Sequence, residues 1–193
     1  LSSNDWIGVS ANLMKKFFIF IIFFLPINSF SNEKIINSLK DGKKIVFIRH
    51  AIAPGNGDPD NFDITDCSTQ RNLNDKGRAQ SKIIGEFFKS NKILFDKVLT
   101  SEWCRCKDTG IIAFGDIETF SALNSFYDQR FAKNKYKQIQ NLKKYIKNRK
   151  SKKNLILITH YVVILEILNL GTSSGEIIIS NKNFELIGNI KTM

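Results

Sequence analysis

The chain contains two histidines, and each follows a run of apolar residues. His50 ends Lys43-Lys44-Ile45-Val46-Phe47-Ile48-Arg49, and His160 ends Leu155-Ile156-Leu157-Ile158-Thr159. Arginines accompany them. Arg49 stands beside His50, Arg71 lies on the polar stretch that follows, and Arg105 comes just past a third segment, Lys97-Val98-Leu99-Thr100-Ser101. These residue types suit phosphoryl transfer. A neutral imidazole can attack phosphorus and carry the phosphoryl group covalently. Guanidinium forks match phosphoryl oxygens, and fixed cations stabilise the charge on the equatorial oxygens. With arginines and a second imidazole supplying that charge, the pattern calls for no metal and no cofactor. A general acid must still protonate the leaving oxygen.

Something must bring these residues together. The three apolar runs read as buried strands. Helices are expected from Asn74 or Asp75 to about Ser90, from Ser101 or Glu102 through Ala113, over Lys135–Arg149, and from Val162 to Leu170, ended by Gly171. Ile117–Thr119 reads as a short strand, and Glu176–Ser180 with Phe184–Ile190 as a terminal hairpin around Asn181-Lys182-Asn183. Alternating strand and helix predicts an α/β three-layer sandwich, with a mainly parallel central sheet, helices on both faces and a C-terminal hairpin. Ligands of such sheets bind outside the carboxyl ends of the strands. If the first and last central strands are neighbours, both imidazoles meet in one crevice.

Composition narrows the field. The chain has 193 residues, 42% of them hydrophobic and 24% charged, which fits a globular domain and excludes wholesale disorder. The net charge of +11 suits an anionic substrate, although a general preference for Lys, Asn and Ile gives the same number. No Walker loop and no Gly-x-Gly-x-x-Gly follows a strand, and no nucleic-acid partner is implied. Met14-Lys15-Lys16, an apolar run from Phe17 to Leu25, Pro26, and small residues at Ser29 and Ser31 read as a signal peptide over 14–31. The run is too short to span a bilayer, which needs about 20 residues. Residues 1–13 read as an upstream extension, 32–193 as a single domain, and the destination as periplasmic or otherwise exported. Export places Cys67, Cys104 and Cys106 in an oxidising compartment, where Cys67 is expected to pair with one of the other two.

Arg49-His50, then Arg71-Asn72-Leu73-Asn74-Asp75-Lys76-Gly77-Arg78-Ala79-Gln80, then Thr100-Ser101 to Arg105 and Thr109, then Thr159-His160, resemble the histidine phosphatase (phosphoglycerate mutase-like) superfamily in order and spacing. The match runs from residue 43 to about 180. The glycine usual after the Arg-His pair is Ala51 here. Asp66-Cys67-Ser68-Thr69-Gln70-Arg71-Asn72-Leu73, Cys104-Arg105-Cys106 and Gly175-Glu176 resemble an exported bacterial branch, some of whose members are linked to dephosphorylating lipopolysaccharide heptose. The resemblance implies a phosphoric monoester hydrolase in which His50 becomes phosphohistidine. It also implies that Arg49 and Arg105 bind the phosphoryl oxygens, that His160 completes the pocket, and that Arg71 lies near it. Ser101 and Thr109 read as structural residues of the helix presenting Arg105.

The acid departs from the family pattern. Mutase-like members carry a Glu soon after the third strand, where Leu123-Asn124-Ser125 has no carboxylate. The acid phosphatase branch has an Asp after the second histidine, where this chain has Tyr161. Asp128 is the nearest substitute, with Asp58, Asp66 and Glu176 as further candidates. A missing acid favours good leaving groups, phosphohistidine among them, and keeps open a phosphate-binding or phosphoglycan-binding protein with weak catalysis. The expected partner is a phosphorylated small molecule or glycan. The basic segment Lys135–Arg149 suits an anionic membrane surface as well as plain solvent, Trp103 suits a core position or a stacking role, and monomer and dimer are equally open.

Overall fold

A computed structural model describes residues 27–193. The extension over 1–13 and the apolar core of the signal segment lie outside the described residues. The first described helix, α1 (Ile27–Lys40), contains the expected cleavage position after Ser31. Among the described residues, no helix is long and apolar enough to cross a membrane.

The apolar runs that precede His50, Ser101 and His160 form the strands at the centre of the sheet. β1 (Ile45–Arg49), β2 (Phe95–Thr100) and β4 (Asn154–Thr159) are parallel, with β4 between the other two. All six residues of β4 are buried, as expected of a strand covered on both faces. The short β3 (Glu118–Thr119) extends the parallel part beside β2. The antiparallel hairpin β5 (Ile177–Ser180) and β6 (Leu186–Ile190) completes the order β3-β2-β4-β1-β5-β6.

Successive side chains of each strand point to opposite faces, so the sheet feeds two cores. On one face Phe47, Leu155 and Leu157 meet Ile139, Leu142 and Ile146 of α5 (Lys135–Asn148) and Val163, Ile164 and Ile167 of α6 (Tyr161–Leu168). On the other, Val46, Ile48, Ile156 and Ile158 meet Ile35 and Leu39 of α1, Ile84 and Phe88 of α2 (Asp75–Ser90) and Cys106 of α3 (Cys104–Phe114). This is the three-layer α/β sandwich expected, hairpin included. Fully buried Asn154 ties three segments at the foot of the sheet. Its Oδ1 accepts from Lys44 N at 3.0 Å, and its Nδ2 donates to Leu39 O at 2.7 Å and Leu94 O at 2.8 Å.

The differences from expectation have local causes. α3 starts at Cys104 rather than Ser101 or Glu102, because those two residues bond elsewhere: Ser101 Oγ meets His160 and Glu102 N donates to Asn124 Oδ1 at 2.9 Å. α6 ends where Asn169 turns left-handed at φ 51°, two residues before Gly171. Asparagine is among the few residues that visit this region readily. A four-residue helix, α4 (Gln129–Ala132), adds a turn that the periodicity does not predict. Asn74 caps α2 as expected, accepting from Gly77 N at 2.9 Å. A Cβ on Gly77 would lie 2.0 Å from Ile52 O. Its lack of a side chain lets α2 press against the backbone two residues beyond His50.

Candidate active site

β1 and β4 run side by side with Arg49 opposite Thr159, so the next residue of each strand leaves the sheet at the same edge. The His50 and His160 rings lie 5.5 Å apart between centroids, at 67°. β2 adjoins β4 on its other side, and the chain leaving β2 delivers Arg105 on the first turn of α3. Arg49, His50, Arg71, Arg105, Asp128 and His160 all line one cavity of about 290 Å³. The structure therefore brings these six residues and Asp58 together, while Asp66 and Glu176, the other two acid candidates, do not line the cavity.

His50 is buried, and its Nδ1 lies 2.8 Å from the carbonyl oxygen of Ala51. A carbonyl only accepts, so the proton sits on Nδ1 and the lone pair on Nε2. Thr109 fixes this geometry. Its Oγ1 accepts from Ala51 N at 3.0 Å and donates to Arg105 O at 2.7 Å, so the residue that sets the His50 tautomer and the helix that carries Arg105 share one anchor. Ser101 Oγ lies 2.8 Å from His160 Nε2 and 3.1 Å from Asn124 Oδ1. Its single proton has two acceptors, and when it goes to the imidazole, the neutral His160 ring carries its own proton on Nδ1. Ser101 thus holds a ring of the site, and its place one residue past a strand end is the signal that could have shown this.

Both imidazoles are held well below their ordinary value of 6.5, first by burial, then by Arg105; Arg71 and Arg49 add to this, and His50 acts on His160. They are neutral at pH 7, as a nucleophile must be. In the unfolded chain each takes up a proton as pH falls through 6.5 while the folded ring stays neutral, so stability declines below that pH. In an NMR titration, neither imidazole signal is expected to reach its midpoint near 6.5. A midpoint there for either ring would contradict the site.

The cations are partly committed. Arg49 Nη1 donates to Thr172 O at 2.6 Å, and its guanidinium lies 5.5 Å from the Tyr161 ring centre. Arg71 Nε donates to Gly57 O at 2.9 Å, and its Nη1 reaches Ala53 O, so it braces the loop over residues 51–72 as well as lining the cavity. Arg49 Nε and Arg105 Nε are buried without a protein acceptor among the described residues. Buried donors of this kind are costly unless an anion meets them.

Asp58 is the residue whose weight the sequence understated. Its carboxylate takes the end of the Arg105 guanidinium, Oδ1 to Nη1 at 2.6 Å and Oδ2 to Nη2 at 3.1 Å. It also accepts from Trp103 Nε1 at 3.0 Å and Arg71 N at 3.1 Å. Trp103 is accordingly a buried ring, edge-on to His160 at 5.3 Å. Burial alone would raise the Asp58 carboxyl, but Arg105 and the other donors outweigh it and hold the group below its ordinary value. Nothing in a long polar loop marks one aspartate over its neighbours, so only the fold identifies it.

Asp128 lines the rim of the same cavity, but its carboxylate is engaged. It caps α4, accepting from Arg130 N at 2.8 Å, and pairs with Arg130 Nη2 at 2.8 Å. The Arg130 side chain keeps it below its ordinary value, so it holds no proton at neutral pH. Asp66 caps the turn over Cys67–Thr69, and buried Glu176 accepts from Ser173 N at 2.7 Å. The four carboxylates considered for the acid are thus each tied to a cap, an arginine or a backbone donor. Cys67 is bonded to Cys104, which staples the loop over 51–72 to the N-terminus of α3. Cys106 is a buried free thiol pushed up to about 12 by burial, so it is not a nucleophile at neutral pH.

No family model matches the chain, and no curated protein matches it. Solved structures do. SixA from Agrobacterium tumefaciens matches with a TM-score of 0.56 at 18% identity, over 78% of this chain and 98% of that one. The protein histidine phosphatase SixA complexed with tungstate gives 0.54 at 14% identity, over 77% of this chain and 97% of that one. A protein from Thermus thermophilus gives 0.52 at 13% identity, over 76% and 98%. The chain shares the fold of these proteins over nearly their whole length.

Proposed function

We propose that this protein is a phosphatase of the histidine phosphatase superfamily, working through a phosphohistidine on His50. The observation that carries the reading is the Nδ1–H bond of His50 to Ala51 O at 2.8 Å, which leaves a neutral Nε2 lone pair in a cavity lined by Arg49, Arg71, Arg105 and Arg130. In the first step Nε2 forms a bond to phosphorus and the bond from phosphorus to the leaving atom breaks, with Arg49, Arg105 and His160 on the phosphoryl oxygens. In the second, water attacks phosphorus, the N–P bond breaks, and inorganic phosphate leaves. The chain's own cations supply the charge stabilisation, so the proposed chemistry needs no metal.

The proposal includes export. Its supports are the signal-like segment over 14–31 and the Cys67–Cys104 disulfide, which suits an oxidising compartment. In that setting the substrate is a phosphorylated small molecule or glycan, in keeping with the resemblance to the heptose phosphatase branch. The engaged state of Asp58 and Asp128 favours leaving groups that depart without a proton from the protein. This also supports a second reading, a phosphohistidine phosphatase, since a P–N bond to imidazole breaks easily.

The test is phosphate release by the purified protein, with EDTA, from an aryl phosphate, an alkyl phosphate and a phosphohistidine peptide. Turnover is expected to survive EDTA and to fall by at least about 100-fold from aryl to alkyl phosphate, as the loss of acid catalysis implies. Tight phosphate binding with no turnover of any of the three would replace the enzyme by a binding protein.

A further inference from the structure

The Arg105 guanidinium is gripped at its Nη end, where Nη1 also donates to Arg71 O at 3.3 Å. Asp58 takes Nη1 and Nη2 with its two oxygens, and both side chains are nearly buried, at 4% exposure for Arg105 and 11% for Asp58. The opposite edge, with Nε–H, is buried and meets no protein acceptor among the described residues. The grip is itself held: Trp103 Nε1 and Arg71 N donate to the same two oxygens. Four donors on one carboxylate leave it an acceptor, with no proton to pass on. Arg105 is also the charge that acts most strongly on both imidazoles, so its placement bears on the nucleophile as well as the phosphoryl group.

We propose that Asp58 is the positioning residue of the phosphoryl site: it fixes the outer end of the Arg105 guanidinium in the wall of the cavity that also holds both histidines. It acts through Arg105 and does not touch the reacting atoms. A free arginine must lose side-chain rotamer freedom when an anion arrives, whereas a clamped one has lost it on folding. The clamp also spans two parts of the chain. The loop over 51–72 supplies Asp58 and Arg71, α3 supplies Arg105, and the Cys67–Cys104 bridge joins the two. This inference rests on the phosphatase reading above.

The test compares wild type with Asp58→Asn and Trp103→Phe in three measurements: binding of inorganic phosphate by calorimetry, kcat and KM on aryl phosphates of graded leaving-group strength, and thermal unfolding. For Asp58→Asn, phosphate is expected to bind about 10-fold more weakly and kcat/KM to fall about 100-fold, by the same factor for every leaving group. Trp103→Phe keeps an aromatic ring, though a smaller one, and removes the N–H, and it should show the same pattern at about 3-fold, which preserves the test if Asp58→Asn does not fold. A loss that grows as the leaving group worsens would make Asp58 the general acid and overturn the proposal. Tighter phosphate binding in Asp58→Asn would also overturn it, by showing that the carboxylate competes with the substrate for Arg105. Unchanged binding and kinetics in a folded Asp58→Asn would remove the positioning role alone. A wild type that neither binds nor turns over phosphate compounds would remove the phosphatase reading, and this inference with it.

Discussion

Replacing His50 by alanine is expected to lower phosphate release by about 10⁴-fold or more, because the proposed mechanism transfers the phosphoryl group to its Nε2. The protein should remain folded. His50 makes one side-chain hydrogen bond, to its own neighbour's carbonyl, and its ring faces a cavity rather than the apolar core. Phosphate should still bind to His50→Ala, since Arg49, Arg71 and Arg105 keep their contacts with Thr172, the 51–72 loop and Asp58. Steady-state kinetics with phosphate calorimetry separates the two effects: turnover lost with binding retained. Retention of more than a tenth of the activity would show that another group accepts the phosphoryl moiety.

Arg105→Ala is expected to do two kinds of damage. It removes a charge and a fork from the phosphoryl site, which should lower kcat/KM by about 10³-fold. It also strands the Asp58 carboxylate beside Trp103 without its paired cation, and breaking a buried pair from one side costs about 3 kcal/mol. Denaturant unfolding of Arg105→Ala, Asp58→Ala and the double variant decides whether the two effects separate. The double variant should recover most of the stability lost by Arg105→Ala, because no buried charge is left alone, and it should recover none of the activity. A double variant less stable than Arg105→Ala would show that the pair is not coupled in the folded protein.

The centre of the site was legible because it sits on the most regular part of the fold. Arg49-His50 and Thr159-His160 terminate two short apolar runs, and such runs have few alternatives to a central parallel sheet. Once β1 and β4 pair in register, the meeting of the two imidazoles follows. Arg105 was equally readable, since a helix that follows a strand in such a sheet starts at the same edge. The loop over 51–72 was not. Its conformation depends on non-local contacts, namely Asp58 with Arg105, Gln70 Oε1 with Cys104 N at 2.9 Å, and the Cys67–Cys104 bridge. No periodicity encodes any of them. Asp128 shows the opposite limit. Its nearness to the cavity was inferred from its distance along the chain, but its engagement by Arg130 two residues later depends on the turn of α4. The helix α1 starts inside a stretch whose composition reads as a leader, so hydropathy gave no reason to place its lower half, with Ile35 and Leu39, in the core.

The central claim is a covalent phosphoryl group on His50, and trapping it is the most direct measurement. The purified protein is mixed with an aryl phosphate, denatured in alkali during turnover, and mapped by peptide mass spectrometry. One phosphoryl group is expected on the peptide containing His50, stable to alkali and lost in acid, and absent from His50→Ala. A label on His160 or on any other residue, or turnover with no label at His50, would contradict the account.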